Sequence, residues 1–592
     1  MAISKAVAEA KPQPTGPALT WRSTIMGFVL AVFLCGINSY LTLSFGVIEE
    51  GPTIAALFFF AFFFVSKSKI TTTEMVIVAT MGSAGGSLGF ISNFFAAKVM
   101  ATGTSYSFAK MVAFSVTSSL VGMVFVIPLR QMLVVKENLP WPGSKATHGV
   151  ITALVEHGDP KQPRYLLITG VLAIFYVIFN KDGGFGWFPD ETVIGLAGLG
   201  AYGASIAWSP FAIGGAYLMG FRTCVGFLAG GIILLIWAPY VPTHAAPHKY
   251  VWPGIGFLVS TGLTMMAVNW RVLVDSMRSL VRFGSKREDA ARLMHKPISP
   301  DGNEESRAAA QETDEKPIVS GRTLAVLSFL TLVGTAVVFN VMFGLNLLLI
   351  AMLVAIGGFI QNVIATRAQA QTAFNPARVM GILLQGLSAM MGGSRVDINL
   401  AGAGMVAGTG AQAGNLTGDM AYGRWFGTPA SWQFWTQFAT IIPCALVSAW
   451  VFERINATAK LSLSGGTVPA PVAKMWAASA MVFDGSSRMP PFAMESLLIA
   501  AAVGVVYVLL ESRPSIEKWL PSSLGLGLGL VLPVCYDFSF FLGGLLFWIV
   551  LQRFFKIREL TLTTVAVGCI VAEGLGGIAK PVLKLLGWIS PH

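Results

Sequence analysis

"DINLAGAGMVAGTGAQAGNLTGDMAYGRW", residues 397–425, sets six glycines between Gly402 and Gly418 in an apolar stretch. It then adds Asn415, Asp419 and Arg424 where a lipid-spanning helix should carry no charge. The glycines admit two readings. At the spacings Gly404/Gly408 and Gly410/Gly414/Gly418, small residues share a helical face and let another backbone approach closely. Alternatively, glycine-rich backbone unwinds, which a bilayer tolerates only where the freed groups line protein or water. Gln412, Asn415 and Asp419, three and four residues apart, can share one face of a helix. A charged side chain at the bilayer centre costs roughly 2.5–3.5 kcal/mol on insertion scales, so such residues face a cavity or a partner. This face is therefore expected to line a substrate cavity.

The rest of the chain supplies the membrane. Of 592 residues 54% are hydrophobic and 12% charged, with a mean hydropathy of +0.68, more apolar matter than a soluble core of this size hides. The expected fold is all-α: a polytopic membrane protein of about 16 spans, counting apolar runs of roughly 17–25 residues, with re-entrant or broken helices. The expected spans lie near 23–45, 51–66, 74–97, 108–129, 165–180, 191–207, 211–237 and 254–272. A second set lies near 322–343, 345–366, 376–392, 398–418, 432–453, 491–511, 521–551 and 560–582, with 521–551 broken at Pro533 into two short helices.

Forty Lys and Arg against 29 Asp and Glu give a net charge of +11. Cytoplasmic loops of membrane proteins carry such an excess, so no nucleic-acid partner is implied. Lys5, Lys11 and Arg22 before the first span, Lys67 and Lys69 after the second, and Arg278, Arg282, Lys286 and Arg287 after the eighth fit a cytoplasmic N-terminus in a cell-membrane protein. Residues 1–19 lack the short apolar core of a cleaved signal peptide. The five cysteines stand in apolar segments without paired spacing and are expected to be free thiols.

The expected organisation is an N-terminal tail (1–22), a first membrane half (23–275), a charged cytoplasmic linker (276–321) and a second membrane half (322–592). The halves resemble each other. "LPWPGSK" sets Pro140, Pro142 and Lys145 at the spacing of Pro469, Pro471 and Lys474 in "VPAPVAK". "YVIFNKDGGFGWFP" parallels "YVLLESRPSIEKWLP", pairing Tyr176 with Tyr507 and Pro189 with Pro521, and "FAIGG" at 211–215 parallels "FFLGG" at 540–544. An even number of spans per half predicts halves that point the same way about an axis along the membrane normal, with substrate between them.

Asn93, Lys98, Tyr106 and Lys110 punctuate another apolar run after the glycines of "GSAGGSLG". Lys98 either snorkels to an interface or attracts a carboxylate, while Glu74 and Lys110 read as interfacial. Each Pro-X-Pro precedes an apolar stretch of roughly 10–14 residues, too short to span and a candidate re-entrant helix. Within the first, His148 and Glu156 are ionisable groups that could exchange protons near neutral pH. Glu573 in "VAEGLGG" is another buried acid of that kind. No P-loop and no H-E-x-x-H motif occurs, and His244 and His248 read as a solvated loop, so no cofactor and no metal site are expected. Energy must then come from an ion gradient or a partner.

Three stretches resemble the oligopeptide transporter (OPT) superfamily, which includes the yellow stripe-like metal-chelate transporters. They are "LTWRSTIMGFVLAVFLCGINSYLTLSFGV" (19–47), "LPWPGSKATHGVI" (139–151) and "AGNLTGDMAYGRWFGTPASWQFWTQ" (413–437). "WLPSSLGLGLGLVLP" (519–533) and "GCIVAEGLGG" (568–577) extend the likeness. The resemblance implies two similar halves, about sixteen helices and proton-coupled uptake of small peptides or peptide-like metal chelates. It matches Asp419 and Gly423 to the family's Asp-x-Lys-x-Gly pattern, with Ala421 where the lysine would stand. "NPA" at Asn375–Ala377 is a partial echo of the Asn-Pro-Gly segment of the peptide branch.

The reading is a secondary active importer working by alternating access and not an enzyme, with Gln412, Asn415, Asp419 and Tyr422 lining the substrate cavity and Asn93, Lys98 and Tyr106 opposite. Asp419, Glu156, His148 and Glu573 are the candidate proton carriers. Lipid is an expected partner, and homo-oligomerisation stays open. A membrane-embedded enzyme and a channel are the rivals: the first predicts turnover without a gradient, the second flux that does not saturate.

Overall fold

The computed structural model describes residues 19–46, 51–65, 70–137, 139, 141–157, 161–180, 187–195, 199–200, 202–237, 240, 252–268, 317–372, 375, 377–392, 395–463, 468–484 and 492–585. The tail to residue 18, most of the expected linker, and His244 and His248 lie outside them. The first half runs α1 (Trp21–Phe45), α2 (Gly51–Val65), α3 (Thr72–Phe90), α4 (Ser92–Thr102), α5 (Phe108–Leu129), α6 (Pro142–His157) and α7 (Lys161–Phe179). Strands β1 (Glu191–Val193) and β2 (Ser205–Ala207) follow, then α8 (Pro210–Met219), α9 (Phe221–Trp237) and α10 (Trp252–Val268). In the second half come α11 (Gly321–Val337), α12 (Leu347–Met352), α13 (Gln361–Thr372), α14 (Ala377–Gly392), α15 (Val396–Trp425), α16 (Ala430–Thr458), α17 (Pro471–Asp484), α18 (Ala493–Glu511), α19 (Ser523–Gly529), α20 (Val534–Gly544) and α21 (Glu559–Leu585).

The chain is an all-α polytopic membrane protein. Among the described residues ten helical stretches are long and apolar enough to cross a bilayer, and Gly51–Phe63, Pro210–Met219 and Phe221–Trp237 are shorter apolar helices. The expected span at 191–207 is instead the antiparallel pair β1–β2, with Glu191 opposite Ala207. The expected span at 211–237 is two helices that reverse at Gly220 (φ 84°). The expected break near Pro533 is present: α19 ends at Gly529 and α20 begins at Val534. The described cysteines are all free.

Local chemistry sets the helix starts. Thr20 and Ser23 form a capping box on α1, and Thr71 and Glu74 form one on α3. Glu74 also accepts from the Thr20 hydroxyl (2.6 Å), so this buried acid ties two helix starts together. α15 is continuous over 30 residues. Its glycines therefore do not unwind; they admit neighbours. A Cβ on Gly404 would fall 2.7 Å from the Phe94 ring, and one on Gly414 2.1 Å from Gln369 Oε1.

The orientation of the halves differs from expectation. Gly82, Gly86 and Leu88 in α3 stand at one constant separation from Gly410, Gly414 and Leu416 in α15, and Ser87 from Asn415 at the same separation. α3 and α15 pack antiparallel: Thr80 meets Tyr422 (3.5 Å), Asn415 donates to Ser87 (2.9 Å), and Phe94 lies against Gly404. Equivalent positions thus touch where two antiparallel helices cross, and only a pseudo-two-fold axis perpendicular to both helices does that. The axis lies in the membrane plane, and the halves are inverted. The Pro-X-Pro helices agree. α6 docks at the Gly418 end of α15, where Ser144 donates to Gly418 O (2.7 Å), whereas α17 docks at the Leu43 end of α1. At the same separation α1 corresponds to residues 349–373, so the apolar stretch Gly321–Met342 stands between the repeats without a counterpart in the first half.

Candidate functional site

The site forms where α15 crosses α3 and α16. Gln412, Asn415, Asp419 and Tyr422 follow one another at helical spacing, and α3 presents Thr80, Ser83 and Ser87 at the matching antiparallel spacing. Asp419 accepts from the hydroxyls of Ser83 and Tyr422. Gln433 of α16 donates to Thr80 Oγ1 and to Asp419 O, both at 2.9 Å. Asn375 donates to Gln369 (2.9 Å) and Gln369 to Asn415 (3.4 Å), so the chain Asn375–Gln369–Asn415–Ser87 joins α13, α15 and α3. Ser83 lies about 16 Å along α3 from its start.

These side chains do not face an open chamber in this conformation: Gln412, Asp419 and Tyr422 are 0%, 3% and 1% exposed. Several of their polar atoms nevertheless lack a hydrogen-bond partner. They are Gln412 Nε2 and Oε1, Asp419 Oδ2, Gln433 Oε1, and Gln437 Nε2 and Oε1. Leaving a buried polar group unsatisfied costs about 1–3 kcal/mol, and each case in a native fold calls for a reason such as a ligand or water. These six atoms stand on the adjoining helices α15 and α16, with Gln412 also against Gly122 of α5, and can donate to and accept from amide and carboxylate groups.

The other expected residues lie elsewhere. Lys98 pairs with Asp397 in the first turn of α15 and sits 5.5 Å from the centre of the Tyr106 ring. Tyr106 stacks on Phe94 with ring centres 5.2 Å apart. Asn93 donates to Thr42 (2.7 Å) and to Phe90 O (3.1 Å). Asp397 and Asp419 are separated by about 33 Å along α15 at 1.5 Å per residue, so the Lys98 group and the Asp419 group cannot hold opposite ends of one small molecule. They mark two levels of one helix.

Of the candidate proton carriers whose side chains are described, Asp419 alone stands with those unsatisfied groups. His148 in α6 stacks on Phe426 (4.2 Å, 22°) and meets Trp425 edge-on, and burial pushes its imidazole down to about 4. Glu573 is buried in α21, whose neighbouring Gly574 packs on Ile37 of α1. Glu156 lies in α6, but its side chain is outside the described residues. Thr80, Ser83, Ser87, Gln433 and Gln437 are site residues that sequence reading missed. Their signal was there: hydroxyls three and four apart on a glycine-rich helix, and two glutamines four apart on an apolar one. Among the described residues no group of His, Cys, Asp and Glu could hold a metal ion.

The sequence pattern of a family described as OPT oligopeptide transporter protein matches residues 18–583. A Saccharomyces cerevisiae protein named for oligopeptide transport is 22% identical, with 98% of each chain covered. An Oryza sativa subsp. japonica protein named for metal-nicotianamine transport is also 22% identical, covering 96% of this chain and 86% of its own.

Proposed function

This chain belongs to the OPT oligopeptide transporter family, and from that premise we propose that it is a proton-coupled importer of small peptides or amino-acid-derived metal chelates, working by alternating access. The family makes it a membrane transporter and not an enzyme; the substrate, the coupling ion, the cell membrane as its site and the cytoplasmic N-terminus are our reading. The observation that carries it is the crossing of α3 and α15 at Ser87–Asn415. Inverted halves can exchange conformations, so a site on their axis faces first one side and then the other. The unsatisfied amides of Gln412, Gln433 and Gln437 stand beside that axis. In this reading they take over the hydrogen bonds that a peptide-like substrate loses on leaving water, which is how a buried site rejects molecules lacking those groups.

Asp419 carries the coupling proton or meets a substrate cation. Its free Oδ2 supports either role, since an ionised carboxylate sequestered from water needs a positive partner. The buried state of the cluster favours a carrier over a channel, which needs a continuous wet path. The test is uptake into proteoliposomes of a peptide and metal-chelate panel, with and without an inward proton gradient. Saturable, gradient-driven uptake of one class is expected in the wild type, with Asp419→Asn inserted but uncoupled. Full gradient-driven uptake by that variant would reject the role of Asp419, and non-saturating, gradient-insensitive flux would reject the carrier.

A further inference from the structure

A second pair of equivalent helices crosses far from α15 in sequence. "FLAGGIILLI" at 227–236 in α9 parallels "FFLGGLLFWI" at 540–549, beginning in α20, a better match than the 211–215 stretch chosen from sequence. The two helices run antiparallel, and the equivalent rings of Phe227 and Phe540 stack 4.4 Å apart at 16°. Their flanks mirror each other. A Cβ on Gly231 would lie 3.0 Å from Asp537 Oδ2, and one on the equivalent Gly544 would lie 3.0 Å from Cys224 Sγ. Asp537 and Cys224 are therefore the same position in the two halves, and only one half places an acid there.

Asp537 is 0% exposed, and neither of its carboxyl oxygens has a hydrogen-bond partner. The packed elements offer it no cation among the described residues. On α9 the charged residue is Arg222, which pairs with Glu511 and Glu517 at the helix start, and the other titratable group is the Cys224 thiol. α19 carries no ionisable side chain. α8 contributes Tyr217, which lies against Phe547 and Trp548, and the turns after α20 contribute Arg553 at their far end. Glu191 of β1 accepts from Ser205, and Cys535 and Tyr536 stand on α20 itself. The Ser539 hydroxyl is occupied by Ala207 O and Cys535 O, both at 2.6 Å.

A carboxylate held here without a counter-charge is strongly disfavoured. Among the described residues no group of His, Cys, Asp and Glu gathers here that could hold a metal ion. We propose that Asp537 is a proton-binding site at the crossing of α9 and α20, separate from the α15 cluster, and that releasing its proton drives the two halves apart at this crossing. Proton binding stands on the geometry alone; its use in transport rests on the carrier reading above. Because the equivalent position holds the Cys224 thiol, the other side of this crossing carries no matching acid.

The test uses the full-length protein in lipid vesicles. Infrared difference spectra across a pH step are expected to show a carboxylic-acid C=O band that Asp537→Asn removes and Asp419→Asn does not. Gradient-driven accumulation in Asp537→Asn should fall about tenfold while gradient-independent substrate exchange persists, a coupling loss of ordinary size. Asp537→Cys, which copies the opposite half, should fold, exchange substrate and likewise lack the band. A band unaltered in Asp537→Asn would overturn the site. So would its replacement by a sodium-dependent signal. A band lost with accumulation intact would overturn the coupling while leaving the site. A wild type that shows the band but accumulates nothing would refute the carrier reading alone.

Discussion

Trp141 and Ala470 hold the same unusual backbone. Each stands between two prolines, with φ of 43° and 40°, and each donates its N–H to a helix of the opposite half, Trp141 to Ala370 O at 2.8 Å and Ala470 to Leu43 O at 2.7 Å. The left-handed conformation costs a non-glycine residue about 1–2 kcal/mol. It persists because the Pro-X-Pro bend must turn α6 and α17 inward while pinning them to the other half. Ala470→Gly should therefore raise the unfolding temperature of the detergent-purified protein, by relief of about 1 kcal/mol. Trp141→Gly should lower it, because the indole is 2% exposed and its burial is lost. Equal shifts in the two variants would refute this account of the bend.

Gly414 is where close approach is most demanding. An added Cβ would fall 2.1 Å from Gln369 Oε1 and 2.4 Å from Asn375 Nδ2. Gly414→Ala should break the Asn375–Gln369–Asn415–Ser87 chain and destabilise by about 1–3 kcal/mol, the usual range for overpacking. Saturable uptake should drop with it, whereas Gly334→Ala, where the added atom meets nothing within 4 Å, should be silent in both assays.

The Lys98–Asp397 pair makes a different demand. Lys98 is nearly buried and Asp397 about one-third exposed, so removing the lysine alone strands a partly desolvated acid beside Tyr106. Lys98→Met should destabilise by roughly 1–3 kcal/mol, and Lys98→Met with Asp397→Leu should recover most of it, because a buried pair replaced by apolar residues is often neutral. A double-mutant cycle on thermal unfolding measures the coupling. Additive losses would show that the pair does not act as a unit.

His148 supplies a pH test. Its folded imidazole, near 4 through burial, lies below the usual value of about 6.5, so below that value the unfolded chain binds the proton first. Its stabilising contribution is complete above pH 6.5 and is lost as pH falls toward 4. His148→Gln should flatten the fall in unfolding temperature between pH 6.5 and 4 and leave the pH dependence of uptake above 6.5 unchanged. A shifted uptake profile near neutral pH would instead make His148 a proton carrier.

The polar face of α15 is legible in the sequence. Gln412, Asn415, Asp419 and Tyr422 do share a face, because a helix repeats its geometry every 3.6 residues and sequence spacing reads it directly. The pairing of Tyr176 with Tyr507 is also real: Tyr176 OH donates to Pro189 O (2.5 Å) and Tyr507 OH to Pro521 O (3.0 Å), the very prolines that sequence matched. What α3 and α16 contribute shows in the sequence only as spacing, because serine, threonine and glutamine in an apolar helix look alike whether they face a backbone carbonyl or an acid on another helix.

The sequence by itself determined that this chain lives in a membrane, that it repeats itself, and which face of residues 397–425 is polar, since hydropathy and helical spacing are local quantities. Only the tertiary structure decided that the halves are inverted, that the glycines of α15 bring helices together without unwinding it, and that Lys98 and Asp419 belong to different levels. Orientation depends on how many times the chain crosses, and short helices such as α8, α9, α19 and α20 cross or turn back according to what they pack against. Nothing in their own composition distinguishes the two outcomes.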